Sequence, residues 1–246
     1  MTDSKVAFVS NAREYAGPPT ADALTAQGWT VFCHDDAFVS AEARAAHERD
    51  HPGQVAACAS DMAGFVQEGL DRFGRIDALV SNDIPKRTKP MFEAADPLQD
   101  FEQQLDSLLL EPVRLLRAAL PVMKAARAGS IVLVTSGAPL RAPIMADRHG
   151  YVVARAGANT LAQVLAVELA PLGIQVNAVA PFLVYSQTFM PSELGAADPK
   201  FAPLLELVPM RRFGAPEEIG KLIAGLADGS KSFVSGQVIA FSGAGC

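Results

Sequence analysis

The chain lacks the cysteines, the long apolar runs and the excess of basic charge that would place it in several common classes. Its cysteines are Cys33, Cys58 and Cys246, an odd set at no metal-ligand spacing, which argues for reduced thiols in a cytoplasmic protein and against a disulfide framework. No uncharged apolar stretch approaches the ~20 residues of a membrane span. The opening residues Met1-Thr2-Asp3-Ser4-Lys5 run straight into an apolar segment, without the basic region and cleavable apolar stretch of an export signal. Neither export nor membrane insertion is expected. Lys and Arg are scattered and the formal net charge is −6, so nucleic acid and anionic membrane are not expected as partners.

What is present is a chain of 246 residues, half of them apolar and a fifth charged, enough to bury one large α/β core as a single domain over residues 1–246. Short apolar or β-branched runs alternate with longer helical patterns, with no linker or repeat between them. That alternation predicts a parallel sheet with crossover helices. Strands are expected at Val6–Val9, Thr30–Cys33, Ala78–Val80, Ser130–Thr135, Gln175–Ala180 and Val238–Phe241, mostly without the polar alternation of a solvent-facing sheet. Helices are expected over Pro18–Gln27, Ser40–Asp50, Asp61–Phe73, Gln99–Ala126 and Tyr151–Leu172. Within the fourth, Pro112 and Pro121 should kink or interrupt the helix.

In an open parallel sheet, ligands bind outside the carboxyl ends of the strands. Ser136 follows the expected fourth strand, and Tyr151 comes fifteen positions later, with Arg155 one helical turn beyond it. After the first strand the chain reads Ser10-Asn11-Ala12-Arg13-Glu14-Tyr15-Ala16-Gly17. A dinucleotide-binding turn needs several glycines there, because a pyrophosphate approaches backbone only where side chains are absent. Tyr15 fills that space.

The Ser136/Tyr151 pair is similar to the catalytic pattern of short-chain dehydrogenases, with Arg155 in place of their Lys and Leu108 where they carry a relay Asn. Over nearly its full length the chain resembles the halohydrin dehalogenases, the cofactor-independent branch of that superfamily. The resemblance is carried by Ser10-Asn11 with Tyr15, Cys33-His34-Asp35, Val80-Ser81-Asn82-Asp83-Ile84, Val134-Thr135-Ser136, Tyr151 to Ala158, Pro209 to Gly214 and Ser235 to Val238. It implies a Rossmann-like, doubly wound parallel sheet with helices on both faces, no cofactor, no metal, and a homotetramer.

It also implies a carbon–halide lyase with a Ser-Tyr-Arg triad acting on small haloalcohols or epoxides. Arg155 would hold the phenol of Tyr151 as phenolate, since a guanidinium stays charged at every working pH. Tyr151 would take the hydroxyl proton, Ser136 would fix the same oxygen, and ring closure would expel halide. The halide pocket would lie at Tyr15, Pro181, Phe182, Leu183 and Val184, with Met190 a further candidate and Asp83 supporting the wall beside Ser81. Epoxide opening by halide, azide, cyanide or nitrite is the implied reverse reaction. Phe182 stands where related enzymes often have Asn, and the Ser136–Tyr151 interval is long.

Other readings of the same residues stand beside this one. Asp35 suits the ribose of a nicotinamide cofactor in a dehydrogenase with a degenerate glycine loop, or a solvated loop. Tyr15 suits an ordinary core aromatic. His34 and His149 suggest no catalytic role. A non-catalytic scaffold would not need Ser136, Tyr151 and Arg155 to converge.

Overall fold

The computed structural model describes residues 4–85, 96–145, 148–187, 201–230 and 233–246, with backbone alone over 142–145. Seven strands, β1 (Val6–Val9), β2 (Thr30–Cys33), β3 (Gln54–Ala56), β4 (Ala78–Asn82), β5 (Gly129–Val134), β6 (Ile174–Pro181) and β7 (Val238–Phe241), form one sheet in the order β3-β2-β1-β4-β5-β6-β7. Every neighbouring pair is parallel. The strand order reverses between β1 and β4, which opens a crevice at their carboxyl ends.

Alternate residues along each strand enter two different cores. Phe8, Phe32, Leu79, Ile131 and Val176 face one side and meet Phe65 and Val66 of α3 (Met62–Phe73), Leu116 and Met123 of α5 (Glu111–Ala126) and Leu165 of α6 (His149–Leu169). Val9, Val31, Val80, Val132 and Val179 face the other and meet Leu24 of α1 (Gly17–Ala26) and Ile223 of α8 (Pro216–Ala227). This is why the strands read as unbroken apolar runs: both faces are covered.

Six of the strands and five helical regions lie where the sequence places them. β3 follows Pro52-Gly53 as a three-residue edge strand, too short to show a period. α8 opens on Pro216 with Glu217 and Glu218 in its first turn and was not expected.

The long fourth helix is interrupted ahead of its first proline. α4 (Pro97–Leu105) passes through a π turn, Asp106–Leu110, into α5. Pro112 cannot donate to the carbonyl four residues back and its ring would press on it, and a π turn just upstream absorbs the mismatch. Pro121 remains inside α5. α6 likewise ends in a 3₁₀ turn, Ala170–Leu172, containing Pro171, before Gly173 takes φ 71°. Between α5 and α6, Ala138–Met145 is a short 3₁₀ run kinked at Arg141, and α7 (Ala202–Glu206) is a single short turn of helix. Among the described residues no helix is long and apolar enough to cross a membrane.

Candidate active site

Ser136, Asp83, Tyr15 and Phe182 sit at the carboxyl edge of the sheet because the strands before them end there. β5 ends at Val134, and the chain leaves it through Thr135 and Ser136, both buried. The Thr135 N–H donates to Val179 O at 2.8 Å and the Gly137 N–H to Pro181 O at 2.9 Å. Ser136 is thereby fastened to the end of β6. The Ala138 N–H donates to Ser136 Oγ at 3.0 Å, which occupies a lone pair and leaves the Ser136 O–H to donate elsewhere.

Tyr151 and Arg155 share one face of α6, one turn apart. Arg155 is 2 % exposed, and a buried guanidinium needs acceptors. It finds them at two strand ends, donating from Nη1 to Val134 O at 2.9 Å and from Nη2 to Asp83 O at 2.6 Å. So anchored, its Cζ lies 5.7 Å from the centre of the Tyr151 ring. Arg155 and Tyr151 therefore meet. Asp83, beyond β4, is buried and accepts from Ser81 Oγ at 2.8 Å. Burial pushes its carboxyl up to about 7, against the pull of Arg155 and Ser81.

Tyr15 lies in the β1–α1 turn. Its ring packs against the β-branched core on that side of the sheet, as an ordinary core aromatic would. Its phenol, however, lies within the electrostatic reach of Tyr151 and Arg155. Burial raises it above the usual phenol range, Tyr151 adds to the rise and Arg155 opposes it. Burial thus favours the neutral form of the Tyr15 phenol. Backbone shape is unusual here too, since Asn11 takes φ 46° and Tyr15 φ 49°, a region that Asn tolerates and a bulky ring enters only where its surroundings hold it. Asn82 supplies part of that hold. Its Nδ2 donates to Asn11 O at 2.9 Å and Glu14 O at 2.8 Å, and Asn11 Nδ2 answers to Asn82 O at 2.7 Å.

The turn can be tested directly for a dinucleotide. Pyrophosphate at a helix N-terminus needs free N–H donors. In α1 the Gly17 N–H donates to Glu14 O at 2.8 Å, Thr20 N–H donates to Ala16 O at 3.2 Å, and Pro18 and Pro19 between them have no N–H. The acid that would bind ribose is also engaged, because Asp35 accepts from Arg13 N at 3.2 Å and Ala37 N at 3.0 Å. With Tyr15 in the turn as well, the residues present do not fit a nicotinamide dinucleotide.

The remaining candidates follow β6. Phe182 and Val184 are buried, and Leu183 between them takes φ 54°. Phe182 N–H donates to Phe241 O at 3.0 Å, and Gly214 N–H donates to Leu183 O at 3.1 Å. Met190 lies outside the described residues. Leu108 is fully buried in the π turn before α5. Three contributors were not read from sequence: the Asn82 clamp, Asn159, whose Nδ2 donates to Ser136 O at 3.5 Å, and the Pro18-Pro19 pair. The proline pair was visible at the expected helix start and could have been used. Among the described residues no group of three His, Cys, Asp or Glu is arranged to hold a metal ion.

Comparison with known proteins returns reductases among the sequence relatives and dehalogenases among the solved structures. The family model described as enoyl-(acyl carrier protein) reductase matches residues 16–243. A 3-oxoacyl-[acyl-carrier-protein] reductase of Synechocystis sp. is 30 % identical over 248 residues, covering 98 % of this chain and 96 % of its own. Among solved structures, one described as a dehalogenation enzyme is 36 % identical with a TM-score of 0.91, covering 99 % of this chain and 98 % of that one. A halohydrin dehalogenase bound to ethyl (2S)-oxiran-2-ylacetate is 29 % identical with a TM-score of 0.89, covering 97 % and 96 %. The chain belongs to the short-chain dehydrogenase/reductase superfamily, in the family described as enoyl-(acyl carrier protein) reductase.

Proposed function

We propose that the chain is a halohydrin dehalogenase that uses Ser136, Tyr151 and Arg155 without cofactor or metal. Tyr151 as phenolate takes the proton from the hydroxyl of a vicinal haloalcohol. The alkoxide oxygen forms a bond to the neighbouring carbon, the carbon–halogen bond breaks with its electron pair, and epoxide and halide result. Arg155, held by Val134 O and Asp83 O, stabilises the phenolate by its fixed charge. Ser136 donates its O–H to the substrate oxygen and so aligns it with the departing halide, and alignment supplies much of the gain when nucleophile and leaving group share one molecule.

The halide leaves into the space bounded by Tyr15, Pro181, Phe182, Leu183 and Val184, where the neutral Tyr15 O–H is a donor suited to an anion. In reverse, Tyr151 protonates an epoxide oxygen while halide, azide, cyanide or nitrite opens the ring. Tyr15 is the observation that carries this reading. It occupies the turn where a pyrophosphate would lie, and its phenol faces the same charges as the proposed base. The likeness to the halohydrin dehalogenase structure supports it.

The same reading proposes a homotetramer. Val153, Val164 and Val167 on α6, at 50 %, 60 % and 79 % exposure, and Val113 on α5 leave apolar faces open on two adjacent helices, a patch that favours association. Light scattering giving four times the chain mass is the expected result.

The test is halide release from 1,3-dichloro-2-propanol by the purified protein with no nicotinamide added. Release is expected, and Tyr151→Phe should lower it at least about 10³-fold, within the range of a lost general base. The reductase relatives favour a second reading, hydride transfer to a carbonyl. Thermal stabilisation by micromolar NADH or NADPH, with no halide release, would establish that reading instead.

A further inference from the structure

The segment that leaves Ser136 is tied to two others by one exposed side chain. Arg141 stands at the kink of the 3₁₀ run Ala138–Met145, and its Nη1 donates to Gly245 O at 2.7 Å and to Leu207 O at 3.3 Å. Leu207 closes α7, and Gly245 lies in the turn Ser242–Cys246 beyond β7. That turn is bonded to itself. The Gly245 N–H donates to Ser242 O at 2.9 Å, and Ser242 Oγ accepts from Cys246 N at 3.3 Å and donates to Cys246 O at 3.1 Å. Within it Ala244 takes φ 66°, a conformation that a residue with a Cβ keeps only where its surroundings hold it.

The held turn packs on the residues around Ser136. A Cβ on Gly245 would come within 2.9 Å of Phe182 Cδ1 and 3.0 Å of Leu207 O, and one on Gly137 within 2.5 Å of Cys246 Sγ and 3.3 Å of Phe182 Cβ. Phe182 therefore lies against both glycines, and Cys246 reaches the residue that follows Ser136. The Gly137 N–H is held from β6 by Pro181 O, while Cys246 and Phe182 close the side where a Cβ would stand. Contacts this close pass a displacement of the turn on to Gly137 instead of absorbing it.

We propose that Arg141 is a positioning residue for Ser136: it latches the Ser242–Cys246 turn, and the latched turn holds Gly137 and Phe182 so that the Ser136 hydroxyl keeps its place at the substrate oxygen. The inference rests on the reading of Ser136 as the group that aligns the substrate. Arg141 acts through Gly245 and Cys246 and not on the reacting atoms. Both of its bonds leave from one nitrogen, so the task asks for reach and N–H donation, not for a planar fork, and an ammonium serves as well.

Hydrogen–deuterium exchange reads the latch without any reaction, because the Ala138 N–H is bonded to Ser136 Oγ. Arg141→Met keeps the stem and loses the donors. In it the Ala138 and Gly245 amides should exchange at least about tenfold faster, as the loss of a charge-assisted hydrogen bond implies for a local opening. Arg141→Lys should restore most of the protection, and the amides of β1 should not change in either variant. Halide release from 1,3-dichloro-2-propanol should fall by a similar factor in Arg141→Met, as a lower kcat with KM little altered, and the same change should add no further loss to Ser136→Ala. Arg141 is exposed, so its replacement leaves the core intact. Unchanged exchange at Ala138, exchange raised equally along β1, equal behaviour of the Met and Lys variants, or a full further loss on top of Ser136→Ala overturns the proposal. If the unmodified protein releases no halide, the dehalogenase reading falls, and exchange at Ala138 alone decides on the latch.

Discussion

Replacing Asp83 by Asn isolates the electrostatic cost of a carboxyl buried beside the candidate triad. In the fold its pKa is raised from 3.8 to about 7, chiefly by burial. Between those values the folded state holds a proton that the unfolded state has released, so stability is fully present below the lower value and is lost as pH rises through the upper one. About three pH units at about 1.4 kcal/mol each give a loss of about 4 kcal/mol across the window. Asn cannot ionise and can still accept from Ser81 Oγ. The stability of Asp83→Asn relative to wild type should therefore climb by about 4 kcal/mol from pH ~4 to pH ~7.5 and be level above that. Urea unfolding over this range measures it. His34 slopes the other way, since burial lowers its pKa and protonation at low pH costs stability, but it is common to both proteins and drops out of the difference. Parallel curves for the two proteins would refute the reasoning.

Arg155→Lys keeps the charge but cannot reach Val134 O and Asp83 O with a fixed fork. It should cost about 1–3 kcal/mol through an unpaired buried carbonyl and lower halide release about 100-fold, read by denaturation and by initial rates. Asn82→Ala removes the donors to Asn11 O and Glu14 O and should cost about 2–4 kcal/mol in urea unfolding, with halide affinity falling as Tyr15 loosens. Gly137→Ala would set a Cβ 2.5 Å from Cys246 Sγ and 3.3 Å from Phe182 Cβ. It should cost about 1–3 kcal/mol by overpacking and displace Ser136. Cys246→Ala in the same chain should recover most of the lost rate, a coupling that a double-mutant cycle reads directly.

Much of the architecture is legible because periodicity reports burial. Val6–Val9 and Val238–Phe241 are bounded to the residue, since apolar runs between turn residues admit no other register. β3 is lost because three residues carry no period, and its Gln54 is polar. The π turn is invisible because Leu105, Leu108 and Leu109 keep their spacing whether the helix carries one extra residue in that turn or not. At the site, the meeting of Tyr151 and Arg155 is legible from their four-residue spacing on one helix, and the place of Ser136 from the end of the strand before it. Their anchorage is not, because Arg155 is fixed by main-chain oxygens of Val134 and Asp83, and a carbonyl leaves no trace in a sequence.

On the proposed cofactor-free reading, the β1–α1 turn withdraws a nucleotide site by choices that are each ordinary. Proline at the first helical positions favours a helix start, an aspartate that caps a 3₁₀ turn is common, and an asparagine that ties two loops together is a usual loop residue. Here Pro18 and Pro19 remove donors where a pyrophosphate would sit, Asp35 spends its oxygens on Arg13 N and Ala37 N, and Asn82 clamps Asn11 and Glu14 so that Tyr15 is held at φ 49°. None of these would suffice alone, since a loop can move and a carboxylate can turn. Joined through one hydrogen-bonded turn they cannot yield separately. Restoring nucleotide affinity by single substitution, Tyr15→Gly for example, should therefore fail. Detectable NADH binding by that variant in equilibrium dialysis would show that Tyr15 alone kept the nucleotide out.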